Sequence, residues 1–191
     1  MIYGVLIINK SGQPRLVKFY IPLDITSQQS LVTQVHDILC KRSQNECNFL
    51  TPPAMLAEEG DDIRVIYRKY ATLNFVFIVD QQESELGILD LIQVFVESLN
   101  RCFADVCELD LVFGWEVLET VLEEIIQGGL VLETSVSNIV AAVDAANKST
   151  TASSASGALS SQDALASATK VFNTATSVFR SYMAKSDDRK F

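Results

Sequence analysis

A chain of 191 residues, 48% of them apolar, carries enough hydrophobic material to fill one core and is not an unstructured polymer. Its net charge of −9 excludes the broad basic face that duplex nucleic acid requires, so no nucleic acid is expected as a partner. Four cysteines without a CxxC pair, and one histidine, leave no zinc spacing; the thiols read as reduced, and no metal or cofactor is expected.

Ile2–Ile8 is apolar on both alternating faces, which predicts a strand covered on both sides. It lacks a basic leading segment and runs into Asn9-Lys10-Ser11-Gly12, a turn rather than a cleavage site, so no signal peptide is expected. Pro14–Ile21 returns as the second strand of a hairpin. Thr26 or Ser27 can cap a helix over Gln28–Lys41, with Leu31, Val35, Ile38 and Leu39 on one stripe. His36 lies beside that stripe and reads as a partly exposed helical residue. Cys47–Thr51 is ambiguous, and Pro52-Pro53 and Glu58–Asp62 punctuate a loop.

Ile63–Tyr70 reads as a strand with one wetter face. Ala71-Thr72 reverses the chain into Leu73–Asp80, apolar on both faces and therefore central. Ser84 can cap a long amphipathic helix, Glu85–Phe103, with Leu89, Ile92, Phe95 or Val96, Leu99 and Phe103 on its apolar stripe. Two short helices follow, Leu109–Phe113 and Glu116–Gln127, the second stopped by Gly128-Gly129. Leu130–Glu133 is extended, and a last helix runs to about Asn147. No apolar run reaches the ~20 residues of a membrane span. The order implies the α+β class: an antiparallel sheet flanked by helices on both faces, with a C-terminal tail.

After Asn147 the composition turns to Ser, Thr and Ala, as in a linker. Leu165, Ala168, Phe172, Ala175, Phe179 and Tyr182 then recur at helical spacing. Residues from Lys148 onward sum to +3, which leaves −12 on the body. No GxSxG, P-loop, GxGxxG or HExxH is present, and the helical carboxylates lie mainly on polar faces, so no catalytic residue is assigned.

Four segments carry a resemblance: Ile7–Leu16 with Lys18-Phe19-Tyr20; Ile66–Leu73; Phe95–Asn100 with Val106–Phe113; and Gly129–Ser135. In unbroken order over residues 1–147 they resemble the small (sigma) subunits of heterotetrameric clathrin-adaptor-type complexes. Ser84–Phe95 is most similar to the sigma chain of adaptor-protein complex three. The resemblance implies a longin-like fold with a five-stranded antiparallel sheet, so that 1–147 would be a sigma adaptin domain and 148–191 a linker with a candidate amphipathic helix. It implies a large delta-type chain as direct partner, with beta-type and mu-type chains completing the tetramer, and a peripheral place on cytoplasmic Golgi or endosomal vesicle membranes.

It also implies a site for acidic dileucine signals in cargo bound for lysosome or vacuole. Arg15 would read the upstream acid; Ala71, Leu73, Val96 and Val106 would line the leucine pocket, with Asp105 on its rim. The alternatives are a solvated strand arginine and ordinary core packing. Asp105 stands where the family pattern has Asn, so Asp105→Asn is expected to tighten acidic signals. Leu165, Phe172, Phe179 and Tyr182 are candidate membrane contacts of the tail. A structureless tail or a helix docked in a partner's groove stand ahead of that reading, because such grooves accept the same stripe. A free-standing longin-type regulator of membrane fusion or small GTPases is the alternative function.

Overall fold

The computed structural model describes residues 1–43, 46–53, 56, 63–103 and 106–155, those from 149 onward by backbone alone. Contacts divide the chain into Met1–Ala146 and Asn147–Phe191. The first unit holds one antiparallel sheet in the order β2-β1-β5-β4-β3. Its strands are β1 (Ile2–Asn9), β2 (Pro14–Phe19), β3 (Phe49–Leu50), β4 (Arg64–Tyr70) and β5 (Leu73–Val79). Central β5 is buried at every position. The ambiguous Cys47–Thr51 stretch thus resolves into the edge strand β3.

The pleat sorts the core into two layers, because successive side chains point to opposite faces. Val5, Ile7, Ile66, Phe75 and Phe77 join one apolar cluster with Ile88, Ile92, Phe95 and Leu99 of α2 (Glu85–Phe103). Tyr70, Phe75 and Phe95 stack edge to face there, with ring centroids 5.7 and 5.9 Å apart. Leu6, Ile8, Val65, Tyr67, Val76 and Ile78 form the other cluster with Leu31, Val32 and Val35 of α1 (Ile25–Lys41). Arg64 and Arg68 make the wetter face of β4 and reach α2, Arg64 to Glu85 at 3.2 Å and Arg68 to Gln93 at 3.0 Å.

Three boundaries differ from the sequence expectation. Asp24 caps α1, its carboxylate accepting from the Thr26 and Ser27 amides, because an ionised acceptor suits the positive helix start better than a hydroxyl. After α3 (Glu108–Phe113), helix α4 (Trp115–Ile125) ends before Gly128-Gly129. The glycine pair, φ +58° and +79°, instead makes the turn between β6 (Ile126–Gln127) and β7 (Leu130–Val131), since a two-residue hairpin favours positive φ at both positions. This hairpin pins the sheet: Ile2 N–H donates to the Gly129 carbonyl at 2.9 Å, and a Cβ on Gly129 would meet the Ile2 oxygen at 2.5 Å. Lastly, α5 (Val136–Ala155) runs beyond Asn147. Its Ser/Thr/Ala run holds no Gly or Pro before Gly157, and Ser and Thr cost a helix only roughly 0.7 kcal/mol or less each.

Candidate functional site

The β1–β2 turn lies beside the β4–β5 turn, because Asn9 pairs with Leu73 across the sheet. Asn9 is 7% exposed. Its Oδ1 accepts from the Ser11 and Gln13 amides and closes the first turn. Beyond the turn the register shifts: Ile7 faces Leu16 and Ile8 faces Pro14, which leaves Arg15 as the extra residue. A bulge of this kind re-aims the side chain it carries.

Arg15 is aimed at Glu108, the first residue of α3. Its Nε and Nη2 donate to Glu108 Oε1 at 3.0 and 2.8 Å, and Nη2 also donates to Gln13 Oε1 at 3.1 Å. Asn9 Nδ2 donates to the same Oε1 at 3.0 Å, and Thr72 Oγ1 to Oε2 at 3.1 Å. One carboxylate therefore ties together the first hairpin, the second hairpin and the start of α3. The Asn9 amide, then Arg15, and more weakly Thr72, hold the Glu108 carboxyl below its ordinary range. The Arg15 side chain is only 12% exposed, so it is neither a solvated strand residue nor an unpaired cation.

The structure brings several predicted residues to this end. Leu73 follows Thr72, Val106 precedes Glu108 by two positions, and Leu73, Val96 and Val106 all belong to the α2-side cluster. Leu73 and Val96 expose 8 and 9% of their surface, so at present they pack as core. Ala71 stands exposed at the hairpin tip with φ +51°, a left-handed value that costs a residue with a Cβ about 1–2 kcal/mol. Asp105 lies outside the described residues, as do Leu165, Phe172, Phe179 and Tyr182. Among the described residues no cluster of His, Cys, Asp or Glu could hold a metal, and the four cysteines are free thiols.

Sequence reasoning missed Glu108, Thr72 and Asn9 as the partners that fix Arg15. It gave no partner for Glu119 and Glu123 of α4, both of which bind Lys18 of β2, at 2.7 and 3.1 Å. No local pattern signals such pairs; the turn chemistry of Asn9 was legible, but not the carboxylate on the far side of it.

Residues 1–150 match the clathrin adaptor complex small chain family. The clathrin-associated protein AP-3 complex component APS3 of Candida albicans is 66% identical over 147 residues, 77% of this chain and 83% of that protein. The AP-3 complex subunit sigma of Saccharomyces cerevisiae is 56% identical, over 78% of this chain and 81% of its own. The human AP-3 complex subunit sigma-2 is 49% identical, over 78% and 76%. A chain in a homology model of the full-length AP-3 complex in a stretched open conformation matches with TM-score 0.63 and 54% identity, covering 81% of this chain and 98% of that one.

Proposed function

The chain belongs to the clathrin adaptor complex small chain family, and from that premise we propose that it is the sigma subunit of an AP-3-type adaptor complex. It stabilises a large delta-type chain, stands with beta-type and mu-type chains in one heterotetramer, and helps bind acidic dileucine signals in cargo bound for lysosome or vacuole. The observation that carries this reading is its 49–66% identity to AP-3 sigma chains over most of the chain. Its role is to bind and assemble, not to catalyse. It reaches Golgi or endosomal membranes from the cytoplasm through the complex; no helix among the described residues is long and apolar enough to cross a bilayer.

Physical features support a partner-dependent subunit. Leu109, Phe113 and Trp115 expose 62, 80 and 46% of their surface, and Leu130 and Leu132 about as much as Leu109. That much exposed apolar surface in two short stretches suits a large-chain interface. For cargo, two leucines entering the Leu73, Val96 and Val106 region would contribute roughly 1.5–3 kcal/mol each. Core residues there must give way slightly to admit them, with Ala71 and Asp105 at the rim. Arg15 would read the upstream acid through Nη1, which has no partner among the described residues, while Glu108 holds the guanidinium in place.

Co-expression tests the assembly reading. The chain should be poorly stable alone and recovered as a one-to-one complex with a delta-type chain; a stable, partner-free monomer would favour a free-standing regulator. Fluorescence anisotropy with an acidic dileucine peptide on that half-complex tests the cargo reading. Arg15→Ala and Val106→Ser should each weaken binding at least tenfold, and Asp105→Asn should strengthen it. Unchanged affinity in the first two would remove the site.

A further inference from the structure

We propose that a groove on the α1 face of the sheet, separate from the Arg15 site, docks an extended acidic segment of a partner protein. The groove measures about 590 Å³ and lies between the end of α1 and the β4–β5 turn. Lys10, His36, Arg42, Arg68 and Lys69 supply its basic lining, Asn74 and Tyr67 of the sheet also line it, and it meets the Arg15 end only at Ala71. Glu46 is the one carboxylate lining it among the described residues, and it is taken by Arg42 at 3.3 Å.

Charge accounting makes the place unusual. The body carries −12. Among the described residues, Arg15, Lys18, Arg42, Arg64 and Arg101 each hold a carboxylate. Arg68 is hydrogen-bonded to Gln93 and sits 5.4 Å from the Tyr70 ring centroid. Lys10, Lys41 and Lys69 have no acidic partner among the described residues, and of these Lys10 and Lys69 are exposed together in this groove. An acidic segment is repelled by most of the surface and attracted here, which directs it to one place.

A second observation points the same way. Asn74 is 91% buried, and it is one of the few buried polar residues of the sheet. It stands on the α1 face of β5, alternating with Val76 and Ile78, and its open side is the groove. A polar amide at the floor of a groove can bond whatever lies in it. A peptide main chain lying along the groove offers both an N–H and a C=O to it, as a flat bilayer does not. The acidic body also disfavours an anionic membrane, so a peptide is the occupant the observations favour.

The sheet sets the spacing. Lys69 pairs with Asn74, Asn74 with Ile8, and Lys10 stands two positions beyond Ile8, so the two lysine backbones are two strand spacings and two residue rises apart, roughly 12 Å. An extended peptide covers that in about four residues, whose ends point to the same face. The segment should carry acidic side chains four positions apart. His36 frames one wall, its Nε2 3.3 Å from the Lys10 carbonyl, which seats the first turn on α1.

The test uses the full chain in its one-to-one complex with a delta-type chain and a fluorescein-labelled octaglutamate peptide, read by anisotropy at low salt. Binding should weaken about tenfold in Lys10→Glu and in Lys69→Glu. Lys41→Glu changes net charge equally, at an exposed position that does not line the groove, and should stay within about twofold. Octaglutamate carries no leucine pair, which keeps this site distinct from the cargo reading. No binding by the wild type, or equal loss in all three lysine variants, would overturn the proposal. So would loss of binding to phosphatidylcholine vesicles with about one-fifth phosphatidylserine in Lys10→Glu and Lys69→Glu while peptide binding stayed intact, since a membrane would then be the occupant.

Discussion

On the α2 face of the sheet, the cations bind partners from distant elements. Arg15 joins Glu108, Lys18 joins Glu119 and Glu123, Arg64 joins Glu85, and Arg68 joins Gln93. On the α1 face, at the end of the same strands, Lys10 and Lys69 have no acidic partner among the described residues and line an open groove with Asn74. The first arrangement places side chains and joins elements; the second leaves charge available to another molecule. A cation already neutralised at short range attracts little at long range, so the exposed lysines dominate the local field although Arg15 is better ordered.

The most severe way to break the contrast is to damage the packed face itself. Phe95 is fully buried in the ring stack, and Phe95→Ala should destabilise the fold by about 3–5 kcal/mol in urea unfolding. Glu108→Ala leaves a mostly covered guanidinium without its carboxylate and the Asn9 amide with only a long bond to Gln13, and should cost about 1–2 kcal/mol. The sign of the linked pH effect follows. The folded Glu108 carboxyl lies below its ordinary value of 4.5, so its stabilisation is present above that value and is lost as pH falls through the folded one. Acid titration should show a smaller loss in Glu108→Gln than in the wild type, the remainder coming from Asp24, Asp80, Asp110 and Glu133, which are also held low.

Legibility of the sequence divides along the same line. Periodicity exposed the central strand β5, the long helix and the two-sided burial, because those depend on residues near in sequence. Arg15 and Leu73 were reachable through family resemblance. Glu108 was quoted within Cys107-Glu108-Leu109-Asp110-Leu111 but not as the partner of Arg15, since no spacing rule connects residues 93 apart. The Asn74 groove was invisible for a similar reason: it is a juxtaposition of α1, the first turn and two strands. Gly128-Gly129 was misassigned because positive φ serves a helix stop and a hairpin turn equally well.

Smaller substitutions sharpen the comparison. Tyr70 buries its hydroxyl without a partner among the described residues, so Tyr70→Phe should leave stability unchanged or raise it by up to about 1 kcal/mol. Ala71→Gly removes the left-handed penalty at the hairpin tip and should add about 1 kcal/mol by thermal unfolding, less the extra entropy of glycine in the unfolded chain. On the α1 side, Lys69→Glu should change stability by less than about 0.5 kcal/mol, because nothing in the fold leans on that charge. A larger change would mean that the lysine already has a structural duty.

The tie between Ile2 and Gly129 bears on how the chain emerges from the ribosome. Strand β1 is made first, yet β5, which covers one of its edges, follows about seventy residues later. At roughly 5–20 residues per second that is a wait of about 4–14 s, and Gly129 arrives some seconds later still. Throughout that interval a nearly all-apolar strand has only β2 beside it and one edge open, the arrangement most prone to pair with the wrong chain. Synthesis of this subunit therefore calls for prompt chaperone cover over its first hairpin.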